Sequence, residues 1–107
     1  MNLTLVGVGM TGSRIVDRIL ELESDNRRAF TRGNALVCDI SQIPSDELDA
    51  ISNAQRVLIG DTHTRVTEDG VDGDLELAVE VTRNDLPEIR RAFDAISVHE
   101  SDGVLVV

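Results

Sequence analysis

The sequence predicts an α/β fold in which a parallel sheet is covered by helices on both faces. Short apolar runs alternate along the chain with segments whose apolar residues recur at helical spacing. The runs are continuous rather than alternately apolar and polar, which is typical of parallel strands buried on both faces. A glycine-rich turn follows the first run and opens the first helical segment, as in Rossmann-like sheets. We therefore expect one domain over residues 1–107.

A strand and a helix are predicted for the first part of the chain. Residues 3–6 form an apolar run that leads into Gly7. Residues 13–23 follow with an apolar face and a charged face at helical spacing, and Asp17 is expected on the charged, solvated face. The apolar face, which is expected to pack on the sheet, consists of Ile15, Ile19 and Leu22.

Two further strands are predicted in the middle of the chain. The run NALVCDI at residues 34–40 predicts a second buried strand, in which Cys38 is a small buried residue. The run RVLIG at residues 56–60 predicts a third strand. Between them, Ser45 is expected to cap a short helix, because a serine oxygen can accept a hydrogen bond from the first free amides of a helix.

A long polar loop, two helical segments and a fourth strand are predicted for the rest. Residues 61–74 contain two glycines, Gly70 and Gly73, and a loop of this length often carries function. Asp74 is expected to cap a helix whose apolar face consists of Leu75, Leu77, Val79 and Val81. Asp85 and Glu88 have the spacing of a capping box for a second helix. The run GVLVV at residues 103–107 predicts the last strand.

The charge composition argues against two classes of partner. The chain has 20 acidic and 10 basic residues, all of the basic ones arginine, and its net charge is -10. This charge repels nucleic acid and anionic membranes, so neither is expected as a partner. An acidic, lysine-free composition predicts a salt-loving archaeal host, where molar salt screens carboxylate repulsion to about 3 Å. An ordinary acidic mesophilic protein is the alternative.

Other features indicate an ordinary intracellular domain. No stretch approaches the roughly 18 apolar residues of a membrane span, and the first residues do not have the pattern of a signal peptide, so a cytoplasmic location is expected. Cys38 is the single cysteine, which excludes a disulfide or a cysteine-based zinc site within one chain. His63 and His99 are expected to be exposed loop residues rather than metal ligands. The same solvated state is expected for the acidic residues Asp69, Asp72 and Asp74.

The first glycine turn is a candidate phosphate site. Gly7, Gly9 and Gly12 fit the pattern G-x-G-x-x-G between a strand and a helix, where backbone N–H groups can bind an anion. A side chain at Gly9 would stand between the backbone and a phosphate. Asp39, at the end of the second strand, is where an NAD site needs an acidic residue. The motif leaves open a dinucleotide, another nucleotide or a turn used only for packing, and it leaves the glycine loop at residues 70–73 unexplained.

Four segments of the chain resemble a known family when they are taken together. They are LVGVGMTGSRIVDRIL, RVLIGDTHTRV, GVDGDLELAVEV and EIRRAFDAISVHESDGVLVV. In this order they resemble the N-terminal part of the tubulin/FtsZ superfamily, most closely its haloarchaeal CetZ-like branch, and the resemblance covers all 107 residues. It implies a GTP-binding, Rossmann-like domain that polymerises head to tail with GTP at the subunit interface, and a role in cell shape or division.

The resemblance also implies which residues contact the nucleotide. The first phosphate loop would consist of Gly9, Met10, Thr11 and Gly12. Asp39 would lie in the second loop, near the nucleotide. The third loop, which approaches the terminal phosphate, would consist of Gly70, Val71, Asp72 and Gly73. The implied ligand is GTP or GDP, with Mg²⁺ accompanying the nucleotide.

The resemblance further implies an incomplete GTPase. The family's glycine-rich signature loop, and the acidic loop that one subunit offers to its neighbour's GTP, have no counterpart in these 107 residues. We therefore expect a truncated N-terminal portion that has no catalytic residues and is inactive alone. Asp72 stands where the family usually has glycine or a small residue, and its carboxylate would oppose GTP unless a cation lies between. The alternatives are a small NAD-binding regulatory domain and a scaffold that binds no nucleotide.

Overall fold

The protein is a four-stranded parallel α/β sheet with helices packed on it. The computed structural model describes residues 2–24, 30–31, 34–40, 48–60, 63–66, 70–96 and 98–107. The strands are β1 (Leu3–Val8), β2 (Ala35–Asp39), β3 (Arg56–Leu58) and β4 (Gly103–Val106). The helices are α1 (Gly9–Ser24), α2 (Leu75–Asn84) and α3 (Leu86–Ala95), with short 3₁₀ turns at Asn53–Gln55 and Val98–Glu100. Every strand pair is parallel and the order is β3-β2-β1-β4, which confirms the predicted Rossmann-like class.

Helix α1 packs on β1 and β2 through a different face from the expected one. Its buried residues are Gly12, Ser13, Val16, Asp17 and Leu20. Of the predicted face only Ile19 packs against the core, while Ile15 and Leu22 are exposed, so the prediction is wrong for two of its three residues. The orientation follows from a close approach to the sheet: an added Cβ at Gly7 would lie 2.7 Å from the carbonyl oxygen of Gly12 and 3.0 Å from Val16. Gly12 and Ser13 are small, so the side of α1 that carries them can approach β1 closely.

Helices α2 and α3 pack on the opposite face of the sheet. The buried cluster on this face consists of Leu36, Cys38, Val57, Ile59, Leu77 and Val81. The four-residue apolar face predicted for α2 is only half right, since Leu77 and Val81 are buried whereas Leu75 is 80% exposed and Val79 is 51% exposed. Residues two apart on a helix point in nearly opposite directions, so the four could not share one face.

Strand β4 is the least covered strand of the sheet. Within the described part of the chain, Val104, Leu105 and Val106 are each about half exposed, and successive residues of a strand point to opposite faces. Helices therefore cover both faces at the centre of the sheet, as predicted, whereas β4 is less covered. None of the helices that the structure describes is long and apolar enough to cross a membrane.

One of the two predicted helix caps that the structure describes is present. The Asp74 carboxylate accepts a hydrogen bond from the Leu77 amide at 3.0 Å and caps α2, as predicted. Asp85 makes no such bond within α3 and instead accepts one from the Gly60 amide. Its ψ of 8° lies outside the extended region in which a capping side chain reaches back to the helix amides. The short helix predicted after Ser45 begins outside the described residues.

Candidate phosphate-binding site

The turn after β1 has the geometry of an anion site. Helix α1 begins at Gly9, so residues 9–12 are its first turn rather than a loop that precedes it. Gly9 has a φ of 76°, and apart from its chain neighbours and the adjacent backbone of α1 no atom of the described residues lies within 4 Å of the position that its Cβ would take. Helix α1, which is described throughout, carries no acidic side chain in this turn. A helix N-terminus offers unpaired N–H groups and the positive end of the helix dipole, which makes this turn a candidate anion site.

The three glycines of the motif have different physical roles. Gly7 is needed for the close approach of α1 to β1, as described above. Gly12 is needed because a Cβ there would overlap the carbonyl oxygen of Val107, which accepts a hydrogen bond from the Val8 amide at 2.9 Å. Gly9 alone combines a positive φ with room for a ligand. Packing thus explains two of the glycines, whereas the third is explained by its positive φ and has open space beside it.

Asp39 lies at the carboxyl end of β2. It directly follows Cys38, which is paired with Val8 at the end of β1. One carboxylate oxygen of Asp39 accepts a hydrogen bond from the Ile40 amide at 2.7 Å. Its backbone carbonyl accepts another from the Ile59 amide at 2.8 Å, which holds the end of β2 against β3.

The third candidate segment is a tight turn at the N-terminus of α2. The Asp74 amide donates to the Val71 carbonyl at 3.0 Å and closes the turn. Gly70, Asp72 and Gly73 all have positive φ, at 70°, 48° and 77°. Aspartate is one of the few residues other than glycine that tolerates this conformation. Val71 packs against the buried cluster beneath α2 and α3, as does Ile40, which follows Asp39.

The two helix N-termini differ in their electrostatics. Asp72 is exposed, Asp74 caps α2 and Glu76 lies in its first turn. Three carboxylates at this terminus oppose an anion, whereas the first turn of α1 has none. The described residues contain no group of three or more side chains placed to hold a metal ion, and Asp69 lies outside them. The first turn of α1 is therefore the better anion site of the two.

Two polar side chains are less exposed than the sequence patterns predicted. His63, expected to be exposed, has a side chain that is only 17% exposed, and its Nδ1 accepts a hydrogen bond from the Arg65 amide at 3.2 Å. Asp17, expected on the solvated face, is 7% exposed. The i, i+3, i+4, i+7 spacing of Ser13, Val16, Asp17 and Leu20 was the signal that could have placed Asp17 on the buried face. Cys38 is buried as predicted, and its burial raises the pKa of the thiol.

The chain is similar to proteins of one kind over its whole length. No family model matches it. It is 36% identical to the tubulin-like protein CetZ1 of Haloferax volcanii and 37% identical to CetZ4 of the same archaeon, in both cases over all 107 residues. Its structure matches that of the CetZ1 monomer, which is described as GDP bound, with a TM-score of 0.83 and 34% identity over 99% of the chain. This chain is a homologue of the CetZ tubulin-like proteins.

The CetZ homology confirms the resemblance predicted from the four sequence segments. The chain spans only about a quarter of its relatives, since it covers 26% of CetZ1 and of CetZ4 and 31% of the CetZ1 chain in the solved structure. A haloarchaeal relative also agrees with the acidic, lysine-free composition.

Proposed function

We propose that this chain is the N-terminal portion of a CetZ-like protein that binds GTP at its first glycine turn. The observation that carries the proposal is Gly9, which opens α1 with a positive φ and with open space above it. Packing requires glycine at the two neighbouring motif positions but does not require it here. A phosphate accounts for both the conformation and the space, because backbone N–H groups at a helix N-terminus bind anions.

Two further observations support a guanine nucleotide as the ligand. The solved CetZ1 monomer is described as GDP bound, and it matches this chain over 99% of its length. In the proposal, residues 9–12 hold the phosphates, Asp39 lies near the nucleotide and residues 70–73 approach the terminal phosphate. Any Mg²⁺ would accompany the nucleotide.

Assembly and hydrolysis are proposed for the whole protein rather than for these residues alone. We propose head-to-tail self-association with GTP at the subunit interface and a cytoplasmic role in cell shape or division. The chain offers phosphate-binding backbone at α1, while the acidic loop that the resemblance implies for hydrolysis has no counterpart in its sequence. Isolated from a complete partner subunit, it is expected to bind nucleotide without hydrolysing it.

A dinucleotide site is the second candidate, and Asp39 favours it. Asp39 ends β2, the strand next to β1, where the ribose-binding carboxylate of an NAD site lies. The strand order β3-β2-β1-β4 also occurs in dinucleotide-binding domains, so topology does not separate the two candidates. The two candidates are distinguished by which ligand the protein binds.

The test is a titration of fluorescent GTP, fluorescent GDP and NADH in molar KCl. The protein should be the natural product that contains this sequence, its length established by intact mass. Wild type is compared with Gly9→Ala and with the control Gly103→Ala, whose added Cβ would be 3.6 Å from Leu3, an ordinary contact.

We expect guanine nucleotide to bind wild type and Gly103→Ala equally and to bind Gly9→Ala at least about tenfold more weakly, because the new side chain occupies the phosphate position. Circular dichroism checks that each variant is folded. A preference for NADH would contradict the GTP proposal and support the dinucleotide site. Binding of neither ligand would support a scaffold that has lost its nucleotide.

A further inference from the structure

Gly60 and the segment at residues 63–66 are connected to α2, or to the residue that follows it, at three places. The Gly60 amide donates to the carboxylate of Asp85, just beyond the end of α2. Further along the segment, His63 Nε2 lies 3.8 Å from a carboxylate oxygen of Glu80. Arg65 then contacts Glu80 and Asp74, near the start of the helix. Along the chain, these contacts thus move from the C-terminal end of α2 towards its N-terminus.

Arg65 connects this segment to the residue that closes the turn at residues 70–73. Its Nη2 lies 3.6 Å from Oδ2 of Asp74, and its Nη1 lies 3.6 Å from Oε2 of Glu80. The other oxygen of Asp74 caps the Leu77 amide, and the Asp74 backbone amide holds the Val71 carbonyl. A change in the position of Asp74 therefore changes both the start of α2 and the turn before it.

Arg65 also reduces the negative charge around this turn. The carboxylates at or near the N-terminal half of α2 belong to Asp72, Asp74, Glu76 and Glu80. Arg65 lies within salt-bridge distance of two of them. An incoming phosphate group meets less repulsion when those two carboxylates are neutralised by a neighbouring guanidinium.

We propose that Arg65 is a positioning residue for the turn at residues 70–73. It acts through Asp74 and Glu80, holds the turn where the terminal phosphate of a nucleotide would approach, and offsets the two carboxylates. This inference rests on the proposed GTP-binding function. The effect is expected on the terminal phosphate, because Arg65 contacts Asp74, whose amide closes the turn at residues 70–73.

The expected effect is modest and depends on salt. The Arg65 side chain is 62% exposed, and exposed ion pairs of this kind change an equilibrium roughly two- to fivefold. Molar salt screens charges beyond about 3 Å, which is shorter than both of the 3.6 Å contacts. The effect should therefore be largest at the lowest salt concentration at which the protein remains folded.

The test measures the affinities of GTP and GDP for wild type, Arg65→Ala, Arg65→Lys and the control Arg90→Ala. Arg90 is an exposed residue of α3, so its replacement makes the same change in net charge away from the turn. We expect Arg65→Ala to weaken the binding of GTP roughly two- to fivefold more than the binding of GDP. Arg65→Lys should change the ratio of GTP affinity to GDP affinity less than Arg65→Ala does. Arg90→Ala should leave this ratio unchanged. Equal weakening of GTP and GDP by Arg65→Ala would overturn the proposal.

Amide hydrogen exchange separates a failure of this inference from a failure of the proposed function. Wild type that binds neither nucleotide would refute the proposed function and, with it, the link to the terminal phosphate. The structural part is then decided by exchange at Asp74 and Leu77, which should be faster in Arg65→Ala, while the Gly60 amide keeps its bond to Asp85 and is unchanged. Unaltered exchange at Asp74 and Leu77 would overturn the positioning role as well.

Discussion

Replacing Asp17 with alanine is expected to destabilise the fold strongly. The carboxylate is 7% exposed and accepts hydrogen bonds from three consecutive backbone amides. The donors are Asp49 at 3.2 Å, Ala50 at 2.8 Å and Ile51 at 3.0 Å. These bonds hold the segment before β3 beneath α1, where Leu48 and Ile51 belong to the same buried cluster as Val16.

The size of the effect follows from the burial of each amide. The bond to Ile51 is buried, and a buried amide left without a partner costs about 1–3 kcal/mol. The bonds to Asp49 and Ala50 are part-buried, so water can replace some of their energy and each loss costs about 0.5–1 kcal/mol. The sum is roughly 2–5 kcal/mol, a large fraction of the 5–15 kcal/mol that stabilises a typical domain.

Asparagine at position 17 provides a graded comparison. It keeps the volume and one acceptor oxygen, and in the wild type a single oxygen serves both Ala50 and Ile51. Its NH₂ group would face the Asp49 amide, so that bond is lost. We expect Asp17→Asn to cost about 1–2 kcal/mol, between wild type and Asp17→Ala.

The assay is urea unfolding in molar KCl, followed by far-UV circular dichroism. Asp94→Ala is the control, because Asp94 is an exposed carboxylate on α3 and its loss makes the same change in net charge. The control should stay within about 0.5 kcal/mol of wild type, as surface substitutions usually do. An Asp17→Ala variant as stable as Asp94→Ala would refute the reasoning from the three amide bonds.

Three further predictions concern other parts of the fold. Gly12→Ala should cost about 1–3 kcal/mol in the same unfolding assay, because its Cβ would overlap the Val107 carbonyl and displace β4, and an unchanged midpoint would contradict this. Cys38 should react with a disulfide reagent at pH 8 much more slowly in the folded chain than in urea, because burial raises the pKa of its thiol and keeps it protonated, and equal rates would argue against burial. The isolated 107-residue chain should associate or melt broadly at low salt, because β4 exposes apolar residues on both faces, and a sharp two-state melt of a monomer at low salt would show otherwise.

Local patterns predicted much of the fold and of the candidate site. Asp74 was placed correctly as a cap because a cap depends on residues within one turn of each other. The glycine turn between β1 and α1 was located for the same reason, although the helix begins at Gly9 rather than at residue 13. The capping box at Asp85 and Glu88 was wrong, because the carboxylate found a partner 25 residues away at Gly60.

The sequence by itself determined the order of strands and helices, the parallel sheet, the homology to CetZ proteins and the position of the phosphate-binding candidate. Each of these depends on continuous runs of residues or on short spacings. Only the tertiary structure decided which face of α1 is buried and which motif glycine is left open to a ligand. It also showed that Asp17 binds amides 32 to 34 residues away. Contacts between distant segments set these features, because close packing of α1 on β1, and not the hydrophobicity of single residues, selects the buried face.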